Sequence, residues 1–342
     1  MTDRRPIRVL VVDDSAFARK VLRQTLSVNP AIEVVGTARD GLEALERIAE
    51  LKPDVVTLDL VMPNLDGLGV LRALPAESGP RVVIVSISGG DSELAIEALA
   101  SGAVDLVQKP TALATERLYE LGDELTAKVL AAAGAVTRPV APVARVRAPL
   151  VTSGRVRLIA IGASTGGPQA LTRLVTSLPA DLPCAVAIAL HIPAGYTEAL
   201  ARRLDEASAV RVFEATEGAV LSPGSVAIAR GGQHLRVRAD AREITTHVDA
   251  RPMDALYFPS VNVLFESAAA ALGDAVLGVV LTGMGNDGVD GARAIRAAEG
   301  RILTESEASC VVYGMPRAVT EAGLSTEEVA LQDMTDAVLR NI

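Results

Sequence analysis

The feature that most constrains this chain is a strand–helix rhythm that runs through it twice. In the first 130 residues, apolar and β-branched runs fall at 7–12 (IRVLVV), 32–36 (IEVVG), 54–59 (DVVTLD), 81–86 (RVVIVS) and 103–107 (AVDLV). Segments with apolar residues spaced near 3.6 follow them, such as AFARKVLRQTL (16–26) and GLEALERIAEL (41–51), and LYELGDELTAKVLAAA (118–133) closes the series. Near-continuous apolar strands alternating with amphipathic helices predict a parallel sheet covered on both faces. Such sheets take their ligands beyond the carboxyl ends of the strands.

The rhythm breaks at 134–155, where Pro139, Pro142 and Pro149 are interspersed with arginines and neither period survives. That stretch reads as a basic, semi-extended linker. The pattern resumes with RLIAIG (157–162), a helix near 167–177, AVAIALH (185–191), a helix near 195–206, PSVNVLFESAAAAL (259–272), AVLGVVLTG (275–283) and a helix from about 287. Between these, residues 217–249 carry Pro-Gly and Gly-Gly turns between short alternating runs, which predicts a β-hairpin insert and a mixed sheet. The expected organisation is an α/β domain at 1–133, a linker at 134–155 and a second α/β domain at 156–342.

Several function classes are disfavoured. A net charge of −9 opposes a nucleic-acid-binding surface. Only 2% of residues are aromatic and Trp is absent, so stacking platforms for single strands are not expected. No run approaches the roughly 18 apolar residues of a membrane span, and the charged start MTDRRPIRVLVVDD leads straight into a strand, unlike a signal peptide. Cys184 and Cys310 lie far apart without a CxxC spacing, as expected of reduced cytosolic thiols.

Asp13 and Asp14 end the first strand, Asp59 the third and Ser86 the fourth, and Lys109 follows the fifth, so a parallel sheet brings all of them to one edge. Three crowded carboxylates repel unless a hard cation sits among them, and Mg²⁺ suits an all-oxygen set. For each acid taken singly, a helix cap or turn is the plainer role.

In the second domain, GASTG (162–166) has the G-x-S-x-G spacing that lets a serine project from a tight strand-to-helix turn. It lacks the second glycine of a dinucleotide fingerprint and the Lys-Ser/Thr of a phosphate loop. Ser164 is therefore a nucleophile or a helix cap. A nucleophile needs a base, and of three histidines His191 ends the strand that follows the Ser164 unit. His234 lies in a turn and His247 on an alternating, exposed face. An orienting acid is available in LTGMGNDGVDGARAI at Asp287, with Asp290 as its rival and an N-cap as its plainer role. The glycines of that loop suit an oxyanion hole.

Two families share these motifs. VLVVDDS, DVVTLDLVMPNLDG, VSIS and VQKP resemble the receiver domain of two-component response regulators. The resemblance implies a flavodoxin-like five-stranded fold, phosphorylation at Asp59 by the chemotaxis histidine kinase, Mg²⁺ held by Asp13, Asp14 and Asp59, and phosphoryl sensing by Ser86 and Lys109. IGASTGGPQAL, HIPAGYTEALARRLD, PSVNVLF, LTGMGNDGVDGARAI and VVYGMP resemble the catalytic domain of the chemotaxis protein-glutamate methylesterase (CheB) family. That resemblance implies a doubly wound catalytic domain with Ser164 as nucleophile, His191 as base and Asp287 as orienting acid. Backbone groups near Thr165 and Met284 would be the oxyanion donors. The implied substrates are glutamyl methyl esters, and in many members glutamines, of methyl-accepting chemoreceptors, in the cytoplasm and at receptor clusters. The chain departs from the family pattern at Leu190, Ile192, Ser225 and Arg230, and at Asn262, where an Asp is usual. A phosphorylation-gated adaptor without turnover and a DNA-binding regulator are the competing classes.

Overall fold

The computed structural model describes residues 5–75, 78–87, 91–109, 115–135, 156–240 and 242–342. Most of the expected linker, residues 136–155, lies outside the described residues, as do Ser88 and Pro110. The chain forms two compact units, Met1–Pro139 and Val140–Ile342. No helix among the described residues is long and apolar enough to cross a membrane.

The first unit holds strands β1 (Ile7–Val12), β2 (Ile32–Ala38), β3 (Val55–Leu58), β4 (Arg81–Ile87) and β5 (Asp105–Lys109). They form one sheet in the order β2-β1-β3-β4-β5 with every pairing parallel. Helices α1 (Ala16–Leu26), α2 (Gly41–Leu51), α3 (Gly67–Ala73), α4 (Ser92–Ala100) and α5 (Thr115–Ala133) alternate with the strands. Helix α1 starts where Ser15 Oγ accepts the Ala18 N–H, and α2 where Asp40 accepts that of Glu43. Ser15 thus fills the capping role that Asp13 and Asp14 could have taken. All four residues of β3 and the last four of β1 are buried. Burial of each large apolar side chain contributes roughly 1.5–3 kcal/mol, so the acids that follow are anchored by the runs behind them.

In the second unit, β6 (Leu158–Ala163), α6 (Gly167–Thr176), β7 (Ala185–Leu190), α7 (Thr197–Ala207), β8 (Arg211–Glu214) and β9 (Ser225–Ile228) come first. A hairpin of β10 (His234–Ala239) and β11 (Ile244–Asp249) follows, then α8 (Val261–Leu272), β12 (Val276–Val280) and α9 (Val289–Ala297). Strand β13 (Arg301–Glu305), α10 (Met315–Glu321), β14 (Glu327–Val329) and α11 (Met334–Arg340) complete it. The main sheet has the order β14-β13-β12-β6-β7-β9-β8 and is parallel throughout, not mixed as expected. The stretch read as a hairpin insert divides. Its first strand, β9, is buried along its whole length and joins the parallel sheet between β7 and β8. Among the described residues β10 and β11 form the one antiparallel strand pair, a separate two-stranded sheet, which an isolated antiparallel bridge joins to Val220 through Thr245.

From β6 the chain moves to β7 on one side and returns through β12 on the other, so the sheet reverses its winding at β6. Crevices at such reversals, beyond the strands' carboxyl ends, are the usual ligand sites of doubly wound sheets. Gly162 tightens this place. A Cβ there would lie 2.3 Å from Val261 Cγ1, so only glycine lets the start of α8 reach the end of β6.

Candidate active site

Three adjacent strand ends converge at this reversal. Ser164 follows β6, and its N–H donates to Thr282 O beyond β12 at 3.0 Å. The register pairs Ala163 with Leu190, so the next step sets Ser164 opposite His191, whose N–H donates to Ala163 O at 3.0 Å. His191 Nε2 lies 2.8 Å from Asp287 Oδ2. Asp287 also accepts from the Val261 N–H on Oδ2 (2.7 Å), and from the Asn262 N–H and Ser260 Oγ on Oδ1 (both 3.0 Å). Burial alone would push its carboxyl up. The hydrogen bond and charge of His191, with the Asn262 and Val261 N–H groups, outweigh that and hold it below the ordinary range. The N-terminus of α8 favours the same ionised form.

A carboxylate only accepts, so Nε2 carries the ring hydrogen and Nδ1 is left with the lone pair. Nδ1 is buried and has no hydrogen-bond partner among the described residues. In the serine-protease template the acid holds Nδ1 and the serine faces Nε2; here the acid is on Nε2. Ser164 Oγ and His191 Nδ1 make no hydrogen bond in this structure. Such bonds are often long before substrate arrives.

The plainer roles weighed for these residues are answered locally. Helix α6 begins after Gly166, which has φ 78° and supplies no side-chain cap; it is the Ser164 carbonyl that accepts the Gly167 N–H. Asp287 does cap a helix, but α8 rather than the one that follows it. Asn262 Oδ1 in turn accepts from Gly288 and Gly291 at the start of α9, so the two helices cap each other. Asp290 is exposed and pairs with Arg293. His247 binds Glu217 on the surface. Gly283 presses against the serine, since a Cβ there would lie 2.7 Å from Ser164 Cβ and 2.5 Å from Met315 Sδ. This close approach sets Met284, one residue on, beside the serine turn.

In the first unit, Lys109 Nζ lies 2.7 Å from both Asp13 Oδ2 and Asp59 Oδ2. Oxygens of Asp13, Asp14 and Asp59 all fall within 4.8 Å of one another. Burial pushes the Asp59 carboxyl up most; Lys109 opposes that and Asp13 adds to it. Ser86 Oγ is buried with no partner among the described residues. An oxygen-only set of three acids facing one lysine fits a hard divalent cation, and the orphaned hydroxyl fits an oxyanion nearby.

Comparison with known proteins is decisive. The CheB methylesterase family model matches residues 159–338, more than half of the chain, and the response regulator receiver model matches 9–120. The chain belongs to the CheB methylesterase family.

Among its relatives is "Protein-glutamate methylesterase/protein-glutamine glutaminase 5" of Myxococcus xanthus (strain DK1622), 60% identical over the full length of both chains. An enzyme of the same name from Symbiobacterium thermophilum is 45% identical over all of this chain and 99% of its own. The crystal structure of the Thermotoga maritima CheB methylesterase catalytic domain superposes with TM-score 0.53 at 32% identity, over 55% of this chain and 99% of that one.

Three residues of this CheB chain escaped sequence reasoning. Tyr257 stacks on His191, with ring centroids 4.1 Å apart and planes 7° apart. Its one sequence signal was the Tyr257–Phe258 pair, the only adjoining aromatics in the chain. His234, read as a turn residue, is buried, accepts the Ser260 N–H on Nδ1 and contacts Pro252 O through Nε2. Glu305 ends β13, fully buried, and among the described residues its carboxylate meets only uncharged donors. Oε2 accepts the Thr282 N–H (2.8 Å) and Oε1 accepts Ser309 Oγ (2.9 Å).

Burial pushes Glu305 up to about 6 from an ordinary 4.5. A raised acid favours the folded state while protonated. That contribution is complete below its unfolded pKa and is lost as pH rises through the folded one. Glu305→Gln, which cannot ionise, is expected to gain about 2 kcal/mol on wild type between about pH 4 and about pH 7.5. Urea unfolding at the two pH values measures it; a difference that does not change with pH would show that Glu305 does not titrate this way.

Proposed function

We propose that this chain hydrolyses γ-methyl esters of glutamyl residues on the cytoplasmic helices of chemoreceptors, releasing methanol, and that phosphorylation at Asp59 raises that activity. The observation that supports the reading is the His191 Nε2–Asp287 bond, made at the end of the strand that pairs with the one leading into Ser164. Nδ1 takes the hydroxyl proton as Oγ attacks the ester carbonyl. Asp287 then faces an imidazolium, which its charge stabilises. The proton passes to the departing methoxide, methanol leaves, and a glutamyl ester of Ser164 remains. Water repeats the cycle: His191 takes its proton, the hydroxide attacks, and Ser164 regains a proton as glutamate is freed. The N–H groups of Thr165 and Met284, flanking the nucleophile, serve the oxyanion. A glutamine follows the same course with ammonia as the leaving group, in keeping with the relatives' double name.

In the receiver, the Asp59 carboxylate accepts a phosphoryl group from a histidine kinase. Asp13, Asp14 and Asp59 would hold Mg²⁺, which when bound offsets the charge gathered there. Lys109 and the Ser86 hydroxyl bond the phosphoryl oxygens. Methyl-labelled receptor membranes test the whole reading. Volatile label should appear, and a small phosphodonor with Mg²⁺ should raise its rate at least about fivefold in wild type but not in Asp59→Asn. No volatile label would end the esterase reading; equal stimulation of both proteins would end the switch.

A further inference from the structure

A hydrogen bond fixes one point of an imidazole ring but not its plane. With Nε2 held on Asp287, the His191 ring can still turn about that contact, and the turn would swing Nδ1 across the neighbouring strand end. The face-to-face contact with Tyr257 removes this freedom, because two flat rings 4.1 Å apart and 7° from parallel cannot rotate independently. We propose that Tyr257 is a positioning residue that sets the plane of the His191 ring, so that Nδ1 addresses the Ser164 hydroxyl; the catalytic part of this proposal rests on the hydrolase reading above.

Tyr257 is itself anchored. The segment that carries it runs between Pro252, whose carbonyl meets His234 Nε2, and Ser260, whose N–H donates to His234 Nδ1. The same histidine packs against Phe258 at 4.6 Å, and the Gly232 N–H holds the Phe258 carbonyl at 3.1 Å. One buried histidine therefore grips both ends of the segment that presses on the other. The far end of the tyrosine is confined as well. A Cβ on Gly285, at φ 87°, would stand 3.0 Å from Tyr257 Oη, so the hydroxyl rests in a notch that only a glycine leaves open. The tyrosine thus spans from the imidazole to the loop that bears Met284. Burial, then Asp287, pushes its phenol up, so the ring it offers is uncharged. An electron-rich face against the imidazole also stabilises the cation formed when the serine proton arrives.

The test uses the full-length chain with Tyr257→Leu, which keeps apolar bulk but no ring, and Tyr257→Phe, which keeps the ring. The chain has only three histidines, so His191→Gln and His247→Gln assign the imidazole resonances by elimination. In wild type and Tyr257→Phe the His191 ring signals should be displaced upfield by the stacked ring; in Tyr257→Leu they should return towards the free-imidazole position. Over the same series kcat for methyl-ester hydrolysis should fall about 10- to 100-fold in Tyr257→Leu with KM little changed, and recover in Tyr257→Phe. Unmoved His191 signals in Tyr257→Leu, or a kcat there equal to wild type, overturn the proposal. Should wild type release no methanol, the hydrolase reading falls, and the resonance positions alone then decide whether Tyr257 sets the ring plane.

Discussion

Ser164→Ala is expected to lower methanol release from methylated receptors by roughly 10⁴-fold or more, the scale on which loss of a triad nucleophile acts. The fold should survive intact. The serine's structural contacts run through its backbone, with its N–H on Thr282 O and its carbonyl on the Gly167 N–H, and alanine keeps both. Among the described residues the hydroxyl has no hydrogen-bond partner, so its removal should move the thermal unfolding midpoint by no more than a surface substitution does, within about 0.5 kcal/mol. Residual turnover near the wild-type rate would assign the chemistry elsewhere. No methanol from either protein would instead favour a phosphorylation-gated adaptor.

Asp287→Ala should do two kinds of damage at once. Without the acid, nothing holds the hydrogen on Nε2, and the fraction of His191 with a lone pair aimed at the serine falls; replacing the triad Asp by Asn in a serine protease already costs about 10⁴-fold. In addition, the Val261 and Asn262 N–H groups and the Ser260 hydroxyl lose their acceptor in a buried setting. Stranding buried donors costs about 1–3 kcal/mol each, so a destabilisation of several kcal/mol is expected. Asparagine offers little rescue. Both carboxylate oxygens are surrounded by donors, so an amide NH₂ at either place meets another hydrogen. Thermal unfolding and kcat, measured on both variants, check the two effects. If Asp287→Ala lost activity but kept full stability, the capping network would not be worth what its bonds imply.

The unequal legibility of the molecule has local causes. Strand β1 and helices α1 and α2 were readable to the residue, because a continuous apolar run gives way there to apolar residues spaced near 3.6; the Ser15 cap was not among the readings, which offered Asp13 and Asp14. Ser164, His191 and Asp287 were readable as candidates because each follows an apolar run whose carboxyl end faces a sheet's binding edge. Their proximity was not. It depends on β12 and β7 flanking β6, a strand order that no period encodes. Strand β9 was misplaced because four residues between Pro-Gly and Gly-Gly turns carry no period, and burial on both faces erases the alternation that marks a hairpin. Tyr257 was invisible for a third reason. It reaches His191 from an irregular segment 66 positions further along the chain, pinned by a histidine that sequence reading set aside as a turn residue.

The mutual capping of α8 and α9 gives the acid and the nucleophile different fates in evolution. A descendant released from any need to cleave esters would still be punished for losing Asp287, because the start of α8, which carries the Asn262 that caps α9, would lose its own cap. It would feel almost nothing on losing Ser164. Decay should therefore erase the serine first and leave the acid behind as a fossil of the chemistry. For distant members of this lineage, an intact aspartate testifies to a sound scaffold, and only the hydroxyl beside it testifies to a working enzyme.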